Sequence, residues 1–170
     1  PLPAPKAGAP GIGYLVSKSG DVITNKHIVS KCKKVTVGGN AQKQVATDII
    51  EMDIENDLAL LKVSPLKMKL VEAKSFIQQL GVKIIPFASR GRLRSEDLGL
   101  KEDLLASGYP YGEIFGDNIN LNLGIEASKV RQFLSNSGLL TNQKKQSKRI
   151  STRDLTKLAK RQSLMVICYQ

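Results

Sequence analysis

Short apolar runs separated by polar turns fill the first half of the chain and predict β-strands rather than helices. These strands are predicted at 12–17, 22–25, 34–37, 44–52, 58–63 and 82–88. Gly20 marks the turn of a first hairpin, and Pro86 indicates an edge or a bulge in the last strand. Six short strands with glycine turns between them predict a small closed barrel, which leaves no exposed strand edge.

The pattern changes to a helical period after residue 124. Two helices and a last strand are predicted there, at 126–134, 152–161 and 164–168. Asn136 and Gly138 are typical of the end of a helix, and Ser151 with Asp154 resembles a capping box that opens the next one. We therefore expect a mainly β protein with a helical C-terminal segment.

Three segments follow from this pattern. Residues 1–10 are rich in proline, alanine and glycine and indicate a linker or a cut end. Residues 11–125 hold the barrel, and 126–170 hold the C-terminal helices and the final strand. A chain of 170 residues with 41% hydrophobic and 24% charged residues fits one globular domain with or without an appendage, and no apolar run approaches the length of a membrane span.

The net charge of +11 is concentrated near the end of the chain. Residues 1–128 carry 16 basic and 14 acidic side chains, whereas 129–170 carry ten basic side chains and one acid, Asp154. A basic segment of this kind can bind nucleic acid or another anionic surface. The residues that would do so are Lys144, Lys145, Lys148, Arg149 and Arg153. A solvated helix face is the simpler interpretation, because no aromatic residue lies among these charges.

The two cysteines, Cys32 and Cys168, leave two interpretations open. They form no CxxC pair, and a single histidine cannot complete a usual zinc site, so no metal is expected. Either they form one disulfide that joins the tail to the body, which would imply an oxidising compartment, or they are unrelated free thiols.

The single histidine, His27, lies in the polar gap of "ITNKHIV", and by itself it fits a structural residue at a strand end. Asp57, however, directly precedes the apolar strand of "NDLALL". A carboxylate at the mouth of a core strand costs free energy unless a polar partner meets it, and an imidazole is a natural partner. Such a carboxylate can hold the imidazole in one tautomer and stabilise the imidazolium formed during catalysis.

Four strings in this order resemble the trypsin-like serine peptidases of the HtrA (Do-like) type. They are the glycine-rich opening strand, "TNKHIV", "NDLALL" and "SGYPYG", and together they cover roughly residues 9–117. The resemblance implies two six-stranded barrels with a catalytic triad in the cleft between them. It implies that His27 is the general base and that Asp57 orients it. Thr24 and Asn25 match the segment that shapes the loop beneath the histidine.

The resemblance also implies a nucleophilic serine in a G-N-S-G-G motif, which this chain lacks. The nearest candidate is Ser137 in "SNSGLLT", 80 residues after Asp57. Three features argue against it. Ser137 follows a helical pattern, Leu139 replaces a glycine of the motif, and a basic loop and a helix follow where barrel strands should lie.

An internal deletion explains the mismatch. The string "NINLNLGIEASKVRQFL" resembles the end of the family's peptidase domain, so the chain passes almost directly from "GYPYG" to that end, with the junction near 117–121. We therefore expect an intact first barrel and a second barrel that is largely missing, followed by a basic helical tail.

Three functions follow as hypotheses. The first is a serine-type endopeptidase acting on polypeptides, degenerate or inactive in this form. The second is a non-catalytic peptide-binding protein on the same scaffold, and the third is binding of nucleic acid or an anionic surface through the basic tail. The resemblance further implies an extracytoplasmic location, periplasmic or secreted, and a chemistry that needs no cofactor.

Overall fold

The structure of the chain is a computed structural model. The described residues are 6–8, 10–17, 19–63, 75, 78, 105–108, 115–118, 127–139 and 151–170. The predicted strand at 82–88, the predicted junction near 117–121 and the basic run from Lys144 to Arg149 therefore lie wholly or partly outside the described residues.

Six antiparallel strands form a closed barrel, which confirms the predicted fold class. They are β1 (Gly11–Leu15), β2 (Asp21–Asn25), β3 (Lys34–Asn40), β4 (Lys43–Asp53), β5 (Leu58–Val63) and β8 (Ser163–Tyr169). Around the barrel they follow the order β1-β2-β5-β4-β3-β8. Each of the first five strands was predicted within a few residues of its observed bounds.

The strand that closes the barrel is the last one in the chain, which corrects the expectation that 82–88 is the sixth barrel strand. β8 lies between β1 and β3, and its register pairs Leu164 with Gly13 and Cys168 with Val35. The predicted strand 164–168 is thus confirmed as a strand, but it belongs to the barrel rather than to a separate tail. Local pattern cannot reveal this placement, because the pairing joins segments more than a hundred residues apart.

The remaining elements are α1 (Lys26–Val29), β6 (Leu105–Gly108), β7 (Phe115–Asn118), α2 (Ala127–Asn136) and α3 (Thr152–Gln162). Strands β6 and β7 form a separate two-stranded antiparallel sheet. Both predicted C-terminal helices are confirmed. The division of the chain at residue 125 and the loss of most of a second barrel stay predictions.

Alternate residues of the strands fill the interior of the barrel, as the period of two predicts. The interior cluster consists of Leu15, Val22, Val29, Val35, Val37, Ala59, Leu61, Val63, Leu164 and Val166. A second cluster lies outside the barrel, where Phe133 and Leu134 of α2 pack on Ile23 of β2 and Leu60 of β5. Helix α2 therefore covers the outer face of the two strands that lead to the candidate site.

Gly38 is required where β3 and β4 approach each other at a β-bulge. A Cβ atom at this position would lie 1.7 Å from the carbonyl oxygen of Lys43, a backbone atom that cannot move aside without disturbing the pair. The register between the two strands shifts at this point, between Gly38 and Asn40. β3 therefore extends three residues past the predicted strand 34–37, through the bulge, before the turn at residues 41–42.

A disulfide between Cys32 and Cys168 ties the segment after α1 to β8, which resolves the alternative that the sequence left open. Their Cα atoms lie 5.3 Å apart, within the usual range for a disulfide. The backbone N–H of Lys33 also donates to the carbonyl oxygen of Tyr169 at 2.8 Å. The closing strand is thus fixed both covalently and by hydrogen bonds beside α1.

Candidate active site

The candidate site begins at the tight turn between β4 and β5. The carboxylate of Asp53 accepts hydrogen bonds from the backbone N–H of Asn56 at 3.0 Å and from its side-chain amide at 2.7 Å. Asp57 follows with φ of 53°, and it is the only non-glycine residue in the described ranges with positive φ. Aspartate tolerates this left-handed conformation better than most residues do. The turn therefore fixes the direction in which the Asp57 side chain leaves the backbone.

The Asp57 carboxylate meets His27 at two points. Its Oδ1 accepts the backbone N–H of His27 at 2.8 Å, and its Oδ2 lies 2.6 Å from His27 Nδ1. The first contact caps the short helix α1, whose N-cap residue Asn25 makes no side-chain capping bond. The second holds the imidazole. One carboxylate thus positions both the backbone and the ring of His27.

Asn25 also holds the Asp57 carboxylate in place. The sequence alone indicates only that Asn25 shapes the loop beneath the histidine. Its side-chain amide donates to the carbonyl oxygen of Asp57 at 3.2 Å and to Oδ2 at 3.3 Å. Thr24, its neighbour in β2, donates through Oγ1 to the carbonyl oxygen of Ile12 at 2.7 Å and joins β2 to β1. The string "TN" before the histidine therefore braces the β1–β2 pair and the Asp57 carboxylate.

The ring orientation suits His27 to act as a base. Because a carboxylate only accepts hydrogen bonds, Nδ1 carries the proton in the neutral ring, and Nε2 keeps a free lone pair. The His27 side chain is 69% exposed, so Nε2 can be reached from solvent. The pair can take a proton from an acidic group that approaches Nε2, and the charge of Asp57 stabilises the imidazolium that results.

The pKa of the Asp57 carboxyl lies below its ordinary value. Partial burial by itself would raise this pKa, but the hydrogen bonds from the backbone and ring of His27, the charge of His27 and the bond from Asn25 together lower it. The carboxylate is therefore ionised at neutral pH, as its role in orienting the imidazole requires.

Ser137 lies at the end of α2 and is hydrogen-bonded away from His27. Its Oγ lies 2.6 Å from Glu51 Oε2 and 2.9 Å from the carbonyl oxygen of Phe133, both of which are acceptors. Among the described residues, no hydrogen bond joins Ser137 to His27. The structure thus brings His27 and Asp57 together and places the third candidate in a different set of contacts.

The string "SNSGLL" is a helix-ending motif. Gly138 has φ of 77°, its N–H donates to the carbonyl oxygen of Ser135 at 3.0 Å, and the N–H of Leu139 donates to that of Leu134 at 2.9 Å. These two bonds and the left-handed glycine define a Schellman motif. The prediction that Gly138 ends the helix is confirmed, and the glycine after Ser137 therefore has a structural explanation that needs no nucleophile.

The family assignment follows from comparison with known sequences. A family model described as a trypsin-like peptidase domain matches residues 11–154, which include the histidine, the aspartate and the strands that carry them. The chain belongs to the trypsin-like peptidase family. The resemblance to HtrA-type serine peptidases is confirmed, whereas the loss of the serine stays a prediction.

Relatives of this trypsin-like chain include longer proteases. A probable periplasmic serine endoprotease, DegP-like, from Chlamydia muridarum is 27% identical over 134 residues, which are 79% of this chain and 22% of that protein. Serine protease HTR4 of Rattus norvegicus is 26% identical over 165 residues, covering 74% of this chain and 33% of the rat protein. The chain thus spans between a fifth and a third of the length of these relatives. No solved structure matches the chain significantly.

The described ranges contain neither a membrane-spanning helix nor a metal-binding cluster. No helix there is long and apolar enough to cross a membrane. Those ranges also hold no group of three or more His, Cys, Asp or Glu side chains that could bind a metal ion. Of the basic residues predicted to bind an anionic partner, only Arg153 lies within them, exposed at the start of α3.

Proposed function

We propose that this chain is a degenerate trypsin-like serine peptidase, which keeps the base and its orienting carboxylate but does not hydrolyse polypeptides. The observation that carries the proposal is the contact of Ser137 Oγ with Glu51 at the end of a helix. A nucleophilic serine must lie within hydrogen-bond reach of its base and beside backbone N–H groups that stabilise the oxyanion. Without a nucleophile, His27 and Asp57 have nothing to activate.

We attribute the lost nucleophile to an internal deletion, which the alignment with the rat protease supports. That alignment extends over 165 residues although it covers only 74% of this 170-residue chain, so the rat protein carries positions that have no counterpart here. The alignment with the Chlamydia muridarum protease, in contrast, spans 134 residues, 79% of this chain, and shows no comparable gap. A deletion between "GYPYG" and the closing helix would remove the nucleophile together with strands of the second barrel.

Labelling with a fluorophosphonate probe tests this proposal. The chain, Ser137→Ala and His27→Ala are incubated with the probe beside an active trypsin-like enzyme as a positive control, and hydrolysis of unfolded casein is followed in parallel. We expect no labelling above background in any of the three and equal, background rates of hydrolysis. Labelling of the unaltered chain that is lost in both variants would identify Ser137 as the nucleophile and overturn the proposal.

We also infer an extracytoplasmic location. The names of the bacterial relatives describe periplasmic proteins, and the disulfide between Cys32 and Cys168 supports an oxidising compartment. Expression with and without a secretion signal, followed by thiol counting, tests this inference. A cytoplasmic product that keeps the disulfide, or a secreted one that lacks it, would contradict it.

Polypeptide binding without cleavage is the second candidate function. The observation that favours it is a row of exposed apolar side chains on the β4–β5 hairpin beside the site, among them Ile50, Met52 and Ile54. Exposed apolar residues that lie together on a surface mark interaction sites more often than scattered ones do.

A further inference from the structure

Strand β4 extends beyond its neighbour β3 at one end of the barrel. β4 pairs with β3 from Lys43 to Thr47, but with β5 from Thr47 to Asp53. Among the described residues, the backbone from Asp48 to Asp53 is therefore paired on the β5 side only. We call this stretch the free edge of β4. Proteins usually cover or shorten such an edge, because its N–H and C=O groups can pair with another strand.

Large apolar side chains lie along the free edge. Ile50 is 56% exposed, Met52 is 43% exposed, and Ile54, just beyond the strand, is 75% exposed. A β-bulge between Ile49 and Glu51 places Ile50 out of register with β5. These side chains are the largest apolar groups that the described surface exposes, and they are confined to this one hairpin.

The hairpin that carries the free edge is acidic along its own sequence, and the one cation that the described residues show acting on it is Lys129 of α2, whose charge lowers the pKa of Asp53. Asp48, Glu51, Asp53 and Glu55 lie on this hairpin, and no lysine or arginine occurs between Gln44 and Leu61. A second copy of this chain pairing through the same edge would bring these carboxylates together, and like charges across a strand pair are destabilising. A strand that carries basic side chains would instead complement them.

We propose that the free edge of β4 binds an extended polypeptide with alternating apolar and basic side chains, which adds a strand to the barrel sheet. Backbone hydrogen bonds would supply sequence-independent affinity, and alternate side chains would contact the apolar row and the carboxylates. The inference rests on the second candidate function, polypeptide binding, and requires no hydrolysis.

Fluorescence anisotropy with a labelled octapeptide of alternating lysine and valine tests the proposal. We expect this peptide to bind and a matching glutamate–valine peptide not to bind. Asp48→Asn/Glu51→Gln should weaken binding by about fivefold, because it removes two charges at the edge but keeps their shapes. Ala41→Lys/Gln42→Lys changes the net charge equally at the opposite end of β4 and should leave the affinity within about twofold, because the added charges lie beyond the edge.

A backbone-modified peptide separates strand addition from charge attraction alone. The lysine–valine peptide with N-methyl groups on alternate residues keeps every charge but cannot donate hydrogen bonds along one side. We expect at least about a tenfold loss of affinity, since several backbone hydrogen bonds are lost together. Equal affinity for the methylated peptide would overturn the proposal.

Three further outcomes identify which part of the proposal has failed. If unfolded casein binds the chain and the Asp48→Asn/Glu51→Gln variant equally, the protein binds polypeptides but not at the free edge. If neither casein nor the peptides bind, both polypeptide binding and the role of the free edge are contradicted. Dimers in sedimentation that dissociate in the variant would show that a second copy of the chain occupies the edge instead.

Discussion

Asp57 illustrates how much of this site depends on a single residue. Its left-handed backbone comes from the turn, and its carboxylate caps α1 and orients the His27 ring. An exposed ion pair contributes little to stability, and His27 is largely exposed. The contacts of Asp57 therefore serve to position His27 more than to stabilise the fold.

The pKa of Asp57 gives a direct test at this scale. Burial opposes the lowering, and His27 causes most of it through its backbone N–H, its ring and its charge. His27→Ala removes the ring and its charge but keeps the backbone N–H, so it should raise this pKa part of the way toward its ordinary value of about 3.9. Because the pKa of Asp57 is lowered in the folded state, its contribution to the free energy of unfolding is complete at a pH above the ordinary pKa. This contribution is lost as the pH falls through the folded-state pKa. Carbon-detected NMR titration of the carboxyl groups measures the shift.

Asp53 provides the control in the same spectra. Its pKa is also lowered, mainly by the hydrogen bonds from the side chain and backbone of Asn56, so the loss of the imidazole should leave it unchanged. A pKa of Asp57 that does not move in His27→Ala would show that the histidine does not contact it in solution.

At the scale of single elements, the β1–β2 turn is held to β5 by one buried carboxylate. Asp21 is 7% exposed, and both its oxygens lie 3.0 Å from Lys62 Nζ. Ser17 and Ser19 also donate to Asp21 Oδ2. Burial by itself would raise the pKa of Asp21, but these bonds and the charge of Lys62 lower it.

We predict that Asp21→Asn lowers the free energy of unfolding by about 2 kcal/mol at pH 7, because a partly buried ammonium loses its counter-charge. Since the folded-state pKa is lowered, the difference from the unaltered chain should persist above about pH 4 and shrink as the pH falls through the folded-state pKa. Urea denaturation over a series of pH values measures it.

Asp48→Asn is the matched control. Lys62 lies opposite Asp21 on β2 and opposite Asp48 on β4, yet of these two carboxylates it bonds only to that of Asp21. Its ammonium also donates to Ser19 Oγ at 2.9 Å. Asp48→Asn should therefore change the free energy of unfolding by less than about 0.5 kcal/mol. Equal losses in the two variants would mean that Lys62 is shared between the carboxylates.

The local sequence pattern predicts the strands and helices well, but it predicts less well which strands pair with each other. The strands from β1 to β5, both C-terminal helices and the helix stop at Gly138 depend on nearby residues, so the sequence reveals them. The pairing of His27 with Asp57 is predictable because a carboxylate at the mouth of a core strand needs a polar partner, and the only imidazole in the sequence is a natural one. The positive φ of Asp57 and the placement of β8 depend on tertiary contacts, which no local pattern contains.

At the scale of the whole molecule, one covalent bond spans most of the chain. The disulfide joins residues 136 positions apart and fixes the closing strand to the segment after α1. In the chain-entropy model, a loop of this length stabilises the folded state by about 5 kcal/mol. That is a large part of the stability of an ordinary domain.

We therefore predict that Cys32→Ser/Cys168→Ser lowers the free energy of unfolding by several kcal/mol, on the order of the loop-closure value. Denaturation with and without a reductant measures it. The reductant should destabilise the unaltered chain to the level of the double variant and should leave the double variant itself unchanged. A reductant effect on the double variant would contradict this explanation.

The position of β8 also has a consequence for the order in which the chain can fold. The first five barrel strands are complete by Val63, but the gap between β1 and β3 is filled only by residues 163–169. During synthesis these five strands must therefore wait, with two unpaired edges, for roughly a hundred more residues to emerge. Pairings so distant along the sequence form slowly, and open edges in that interval favour aggregation. Chaperone protection of the nascent chain should therefore matter most after Val63 has been synthesised and before residues 163–169 emerge.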